Sequence, residues 1–231
     1  KEIGTKSVVE QIVDSIVNAI IEGELKPGDK IPTETELCNS MNVGRNSVRE
    51  AIKILVAYGV LIIKRAEGTF VTKGYNSKML YPVLYGIILQ KNAANQVIEL
   101  RKIIDDGILH LVIQKMKDKS ELNSARKVIT DLRKDIDENG VDGLKIFNAD
   151  IAFHDALLEI TENDLLRGIG SYVNLITKKT RIEAIKKFIA NKDVDRFFIL
   201  HEEVLNILEN RLVEKIDDAI KSHYIYWSTV K

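Results

Sequence analysis

Three histidines and an aspartate in the second half of the chain stand at positions where a helix would bury apolar residues. Phe147, Asp150, Ile151, His154 and Leu158 share one helical stripe. Phe197, His201, Val204, Leu205 and Leu208 share another, and Ile216, Ile220, His223 and Trp227 a third. Asp150 and His154 lie four residues apart, so one helix face brings both to one point. An unpartnered buried polar group costs roughly 2–7 kcal/mol when neutral and more when charged. The four groups therefore need one another or something held among them. A divalent metal would satisfy all four at once, and a set of one carboxylate and three imidazoles suits zinc, nickel or manganese. A core hydrogen-bond network is the alternative that the pattern leaves open. His110, the fourth histidine, has no comparable inward stripe and is expected to be structural or exposed.

A second concentration of chemistry lies near the N-terminus. Between Met41 and Arg65 stand Arg45, Arg49, Lys53, Lys64 and Arg65 against one acid, Glu50. The chain as a whole has 34 Lys and Arg against 34 Asp and Glu, a net charge of zero. Any binding of nucleic acid must therefore rest on such local charge rather than on a global field.

The elements that would position these groups can be read from caps and periodicity. Ser7-Val8-Val9-Glu10 forms a capping box ahead of Val9, Val13, Ile16 and Ile20, with Gly23 at the stop. Thr33-Glu34-Thr35-Glu36, straight after Pro32, is a second capping box and opens a short helix to about Met41. Asn42-Val43-Gly44 is a tight turn. The next helix runs from Arg45 to about Tyr58, ended by Gly59. Leu61–Lys64 and Thr69–Thr72 read as two short strands joined by a loop over 65–68. Helix, helix, tight turn, helix and β-hairpin is the layout of a winged helix-turn-helix. In that geometry the helix after the turn enters the major groove of DNA, and Arg45, Asn46, Ser47 and Arg49 lie where base edges would be met.

From about Met79 the pattern is helix after helix. Val97, Leu100, Ile104, Ile108 and Leu111 make one apolar stripe, and further helices are expected at about 120–137, 141–160, 164–189, 193–210 and 212–228. The expected fold is mainly α: a winged helix-turn-helix with a small β-hairpin wing over 1–75, then an all-α antiparallel helical bundle of six or seven helices over 79–231.

Two resemblances become specific at this point. Ile31-Pro32-Thr33-Glu34, Leu37, Val43-Gly44-Arg45, Val48-Arg49-Glu50-Ala51, Leu55, Gly59-Val60 and Gly68-Thr69-Phe70-Val71 resemble the DNA-binding domain of the GntR superfamily. The resemblance implies that Arg45 and Arg49 contact DNA and that Gly68 approaches the minor groove. With the recognition-helix residues Asn46 and Ser47 and the wing residues Lys64 and Thr69, these are the candidate DNA-binding residues. Three positions depart from the family pattern. Thr35 stands where an arginine is frequent, Gly44 where serine or threonine is frequent, and the wing reads Ala66-Glu67-Gly68 where Gly-basic-Gly is common. An altered operator preference or weaker binding is the expected consequence.

The order Asp150-Ile-Ala-Phe153-His154-Asp-Ala-Leu157, Asn163, Leu166, His201 and His223 resembles the helical FCD-type effector domain of the FadR subfamily. That resemblance implies a divalent metal at Asp150, His154, His201 and His223, holding a small carboxylate effector. Arg101 is the candidate guanidinium partner of the effector; a helix-surface salt bridge with Asp105 is its other reading. The function implied is a ligand-responsive transcription regulator. It would bind double-stranded DNA as a homodimer at a palindromic operator, with half-sites about 34–36 Å apart.

Competing readings carry different expectations. A metal-dependent enzyme acting on a small carboxylate would need a general base, and the nearest acids in sequence, Asp155 and Glu159, are expected to face solvent. A DNA-binding dimer without a sensing role would hold no metal. The longest apolar run, Ile54–Ile63, is about half of the roughly 20 residues that a membrane crossing needs, and the N-terminus lacks a signal pattern. Cys38 is the single cysteine. A cytoplasmic protein without membrane contact is the expectation.

Overall fold

The computed structural model describes residues 6–90 and 93–227. By contacts the chain divides into two compact units, Lys1–Ile87 and Ile88–Lys231.

The first unit opens with α1 (Val8–Ile21), capped as its sequence prescribes: Ser7 Oγ accepts from the Glu10 amide at 3.2 Å, and Glu10 Oε2 accepts from the Ser7 amide at 2.8 Å. The same reciprocal box starts α2 (Glu34–Met41), between Thr33 and Glu36. Asn42, at φ 53°, ends α2 in the left-handed region, and the chain turns directly into α3 (Arg45–Ala57). Gly44 is the N-cap of α3 and supplies no side-chain hydrogen bond. After α3 come β1 (Leu61–Lys64) and β2 (Gly68–Val71), paired antiparallel with Leu61 opposite Val71 and Lys64 opposite Gly68. The second strand thus begins one residue earlier than Thr69, because the turn is completed within Arg65-Ala66-Glu67, where Ala66 takes φ 61°. The segment around Lys30 pairs with the free side of β2: the Ile31 amide donates to Thr69 O at 2.9 Å, and the Val71 amide to Asp29 O at 2.8 Å. Ile12, Ile16, Leu37, Val48, Leu55 and Leu61 form the core beneath. Helix, helix, turn, helix and wing are all present. A further helix, α4 (Tyr81–Ile88), follows a 3-10 turn over Ser77–Leu80.

The second unit is a bundle of α5 (Ala93–Lys115), α6 (Asn123–Asn139), α7 (Gly143–Ile160), α8 (Asp164–Ile176), α9 (Lys178–Ala190), α10 (Val194–Asn210) and α11 (Ile216–His223). The helix α7 is central and packs against α5, α6, α8 and α9. Its core residues include Ile146, Phe153 and Leu157, all at most 1 % exposed. Gly170 is buried where α8 crosses α7, and a Cβ there would collide with Leu158 Cδ1.

Two sequence expectations differ from this bundle. The segment 164–189 is two helices, not one, interrupted at Thr177 (φ −90°, ψ −2°). There the Thr177 hydroxyl bonds back to Val173 O at 2.6 Å, a local bond that competes with helix regularity. The inward face of α5 is also turned from the apolar stripe read in the sequence. It buries Val97, Arg101, Asp105, Ile108 and Val112, while Leu100 is 40 % exposed.

Candidate metal centre and nucleic-acid interface

Asp150 and His154 project from α7, His201 from α10, and His223 from the last residue of α11. One ligand atom from each lies within 4.8 Å of all the others. Asp150, His201 and His223 are buried, and the His154 side chain is 14 % exposed. Three inward stripes thus converge on one point because α7, α10 and α11 each turn their apolar face to the same core.

Hydrogen bonding at the cluster fixes more than position. His201 Nδ1 donates to the carbonyl oxygen of Phe197 at 2.7 Å. A carbonyl only accepts, so Nδ1 carries the proton and the Nε2 of a neutral ring presents a lone pair. That lone pair faces Asp150 Oδ1 at 3.1 Å. Two lone pairs at this separation need a proton or a cation between them. His154 stands with Nε2 3.9 Å from Asp150 Oδ1 and Nδ1 3.7 Å from Asp105 Oδ2, a carboxylate beyond its far nitrogen. Metal-bound histidines are commonly oriented in this way. His223 Nδ1 is buried and makes no hydrogen bond.

The electrostatics agree with ligand chemistry. Burial holds the His154 imidazole well below its usual range, with the Arg101 charge adding to it. Burial and the neighbouring His201 and His154 do the same to His223. Both rings are neutral, as metal ligands must be. Burial pushes the Asp150 carboxyl upward, but the Arg181 guanidinium 3.0 Å away opposes it, and the group is held well below the ordinary carboxylate range. Three nitrogen donors and an anionic oxygen, with buried atoms left unsatisfied, fit a divalent cation.

A second ring of polar groups surrounds these four. Arg101 and Asp105 of α5 form an ion pair at 3.2 Å with side chains 2 % and 7 % exposed. The pair expected as one reading of Arg101 therefore forms, but in the interior rather than on the helix surface. It is tolerated there because Arg101 makes further hydrogen bonds. Its Nε donates to Asp105 and to Tyr224 Oη (2.9 Å), and its Nη1 to Asn174 Oδ1 (3.0 Å) and Thr177 Oγ1 (3.3 Å). Tyr224 in turn donates to Asp105. Burial opposes the Arg101 charge, but Asp105, Tyr224 and Asp150 more than restore it and raise its pKa.

Arg181, on α9, is a second buried guanidinium that the sequence reading did not single out. It is 1 % exposed and lies 3.0 Å from Asp150 Oδ2, and Nη2 donates to Asn174 Oδ1 at 3.0 Å. Its Nε and Nη1 form no hydrogen bond of good geometry. Burial lowers its pKa despite Asp150 nearby. A signal for it existed: Arg181, Ile185 and Phe188 follow one another at helical spacing, a cation on an apolar stripe. Of the two acids weighed as a general base, Glu159 pairs with Arg167 at 2.8 Å and Asp155 accepts from Asn174 at 3.1 Å. His110 is half exposed and bonds to the backbone of its own helix.

In the first unit Arg45, Asn46 and Arg49 are exposed on the opening turns of α3, and Ser47 is half-buried. Arg49 Nε pairs with Glu34 Oε2 of α2 at 2.7 Å. Lys64 lies over the Phe70 ring, 4.7 Å from its centroid, and 3.8 Å from Glu67. Gly68 and Thr69 are half-buried at the start of β2.

Comparison with known proteins follows the same division. Residues 8–71 match the model of bacterial regulatory proteins of the gntR family, and residues 96–225 match the FCD domain. The HTH-type transcriptional regulator LutR of Bacillus subtilis is 32 % identical over 206 residues, covering 88 % of this chain and 92 % of LutR. The galactonate operon transcriptional repressor of Escherichia coli is 23 % identical over 178 residues, covering 75 % of this chain and 76 % of the repressor. Among solved structures, a Streptococcus agalactiae GntR shares the fold with a TM-score of 0.58 at 22 % identity, over 94 % of this chain and 97 % of that one. No helix among the described residues is long and apolar enough to cross a membrane. With a winged helix-turn-helix matching one family domain and a helical bundle matching its effector-binding domain, this chain belongs to the GntR family of DNA-binding transcriptional regulators, with an FCD effector domain.

Proposed function

We propose that the helical unit senses a small carboxylate at a divalent metal held by Asp150, His154, His201 and His223, and that a cytoplasmic homodimer reads a palindromic operator through Arg45, Asn46, Ser47, Arg49, Lys64, Gly68 and Thr69. The observation that carries the sensing half is the convergence of four ligand atoms within 4.8 Å in the bundle interior, with His223 Nδ1 left without a hydrogen bond. A bound zinc, nickel or manganese ion would supply a Lewis-acidic centre for an oxygen anion.

The chain's own residues supply the rest. His201 is oriented by its bond to Phe197 O, and the Asp105 carboxylate stands 3.7 Å behind His154 Nδ1. Arg101, the sequence candidate for the effector carboxylate, has its donors engaged by Asp105, Tyr224, Asn174 and Thr177. Arg181 pairs with Asp150 Oδ2 through Nε at 3.0 Å and keeps Nη1 without a hydrogen bond, so it is placed beside the cluster to pair with an entering carboxylate. Arg101 then serves to hold Asp105 and α8 in place. Because an effector shifts DNA binding only through different affinities for two arrangements of the protein, the groups that change partners on binding matter most, and the Arg181–Asp150 pair is placed to do so.

The test is elemental analysis of the purified full chain beside a His154→Ala/His201→Ala double variant. About one divalent ion per chain, lost in the variant, is the expected result. Absence of metal from both, after incubation with zinc, nickel and manganese in turn, would reduce the cluster to a core hydrogen-bond network and leave DNA binding untouched.

A further inference from the structure

The wing of this protein lacks the central cation of the pattern it resembles, Glu67 standing in its place, and the structure brings another cation to the same spot. Residues near Lys30 pair with the outer edge of β2, Lys30 itself bridging to Phe70. In the two-residue alternation of a strand, Lys30, Phe70 and Gly68 then lie on one face, opposite the buried Ile31, Leu61 and Val71. From that face the Lys30 side chain runs over Gly68. A Cβ added to Gly68 would stand 2.5 Å from Lys30 Cε and 3.2 Å from Lys30 Nζ. Gly68 has φ 126°, a backbone conformation that an L side chain rarely adopts, and the end of the Lys30 side chain lies where a Cβ would stand. The glycine leaves the channel that Lys30 occupies, and the exposed ammonium ends beside the first residue of β2.

Lys64 is on the same face, but Glu67 stands 3.8 Å from it and lowers the net charge it presents. Lys30 has no acid within salt-bridge distance among the described residues. We propose that Lys30 is a DNA-backbone contact, supplying from the strand beside the wing the phosphate-neutralising charge that Glu67 removes from the turn. The inference rests on the reading that the α3 and wing surface faces DNA. It adds a residue outside the helix-turn-helix and the hairpin, and it assigns Gly68 a role in seating a lysine.

Each phosphate neutralised by a cation contributes close to one unit to the slope of log affinity against log salt. The test measures that slope for the full chain on a mixed-sequence DNA duplex, for the wild type and for Lys30→Gln, Lys30→Arg, Arg49→Ala and Lys127→Gln. Lys127 is an exposed lysine of the helical unit, so its variant controls for loss of one charge anywhere in the protein. Lys30→Gln is expected to flatten the slope by about one, while Lys30→Arg and Lys127→Gln keep the wild-type value. A wild-type slope for Lys30→Gln, with Arg49→Ala flattened, would overturn the Lys30 contact alone. Equal losses in Lys30→Gln and Lys127→Gln would overturn it as a local contact. A wild-type slope for Arg49→Ala as well would sink the orientation of the whole head, and the two failures are thus told apart.

Discussion

His201 shows how a single bond sets the character of a site. By committing Nδ1–H to Phe197 O it turns Nε2 into a donor of electrons facing a carboxylate, an arrangement stable only with a positive species between them. The neutral state of His154 and His223 has a thermodynamic consequence. Burial lowers both folded-state values, whereas in the unfolded chain an imidazole takes up its proton near the ordinary value of about 6.5. The unfolded state therefore binds more protons as acidity rises. The stability is present above about pH 6.5 and declines below it, by up to about 1.4 kcal/mol per pH unit for each ring. Thermal melts of the chelator-treated full chain should show Tm falling between about pH 7.5 and about pH 5.5, and a His154→Gln variant should fall less steeply; equal pH dependence in both would show that the ring is not held neutral. At this scale the sequence was legible where a polar residue interrupts an apolar stripe, as Asp150, His154, His201 and His223 do. The interior place of Asp105 and Arg181 is not legible, because a charged residue on a helix is expected at the surface, and only tertiary contacts bring Tyr224 to Asp105 and Asn174 and Asp150 to Arg181.

The elements follow their local signals wherever those signals are strong. Both capping boxes form as written, and the Thr33 box carries a further bond in which the hydroxyl donates to Glu36 at 2.7 Å. Thr33→Ala removes this and the cap on α2, and should lower the stability of the first unit by about 1 kcal/mol in urea unfolding of the full chain; no change would mean that tertiary packing alone holds α2. Signals fail where neighbours decide. Nothing in the Thr177-Lys178-Lys179-Thr180 stretch announces a helix break, yet Thr177 bonds back to Val173 and also accepts from Arg101. The break therefore belongs to the site, since it separates α8, which carries Asn174, from α9, which carries Arg181. The face of α5 was misjudged for the same reason: the buried Arg101 and Asp105 lie on the side that hydrophobicity alone assigns to solvent.

At the scale of the molecule, a chain of zero net charge combines a DNA-reading unit with a sensing unit. A metal bound at the sensing site stabilises the folded state by mass action, about 2.7 kcal/mol when free metal reaches 100 times its Kd. Adding zinc to chelator-treated protein should therefore raise the Tm of the wild type and leave the His154→Ala/His201→Ala variant unmoved; equal shifts would indicate surface binding. The two-unit plan was legible in the sequence because the element pattern changes from turns and a hairpin to uninterrupted helices. The contact boundary near residue 87 was not, since α4 has a helical pattern like the elements that follow it. One placement has a consequence in time. His223 ends α11 and is the last in chain order of the four clustered residues, with Tyr224 and Trp227 packed beyond it. During synthesis at about 5–20 residues per second, His223 is added roughly 8–30 s after the wing has been made. On the reading proposed above, the DNA-binding unit is thus made before the last residue of the four-residue cluster exists, and no effector can be sensed there until His223 has been added.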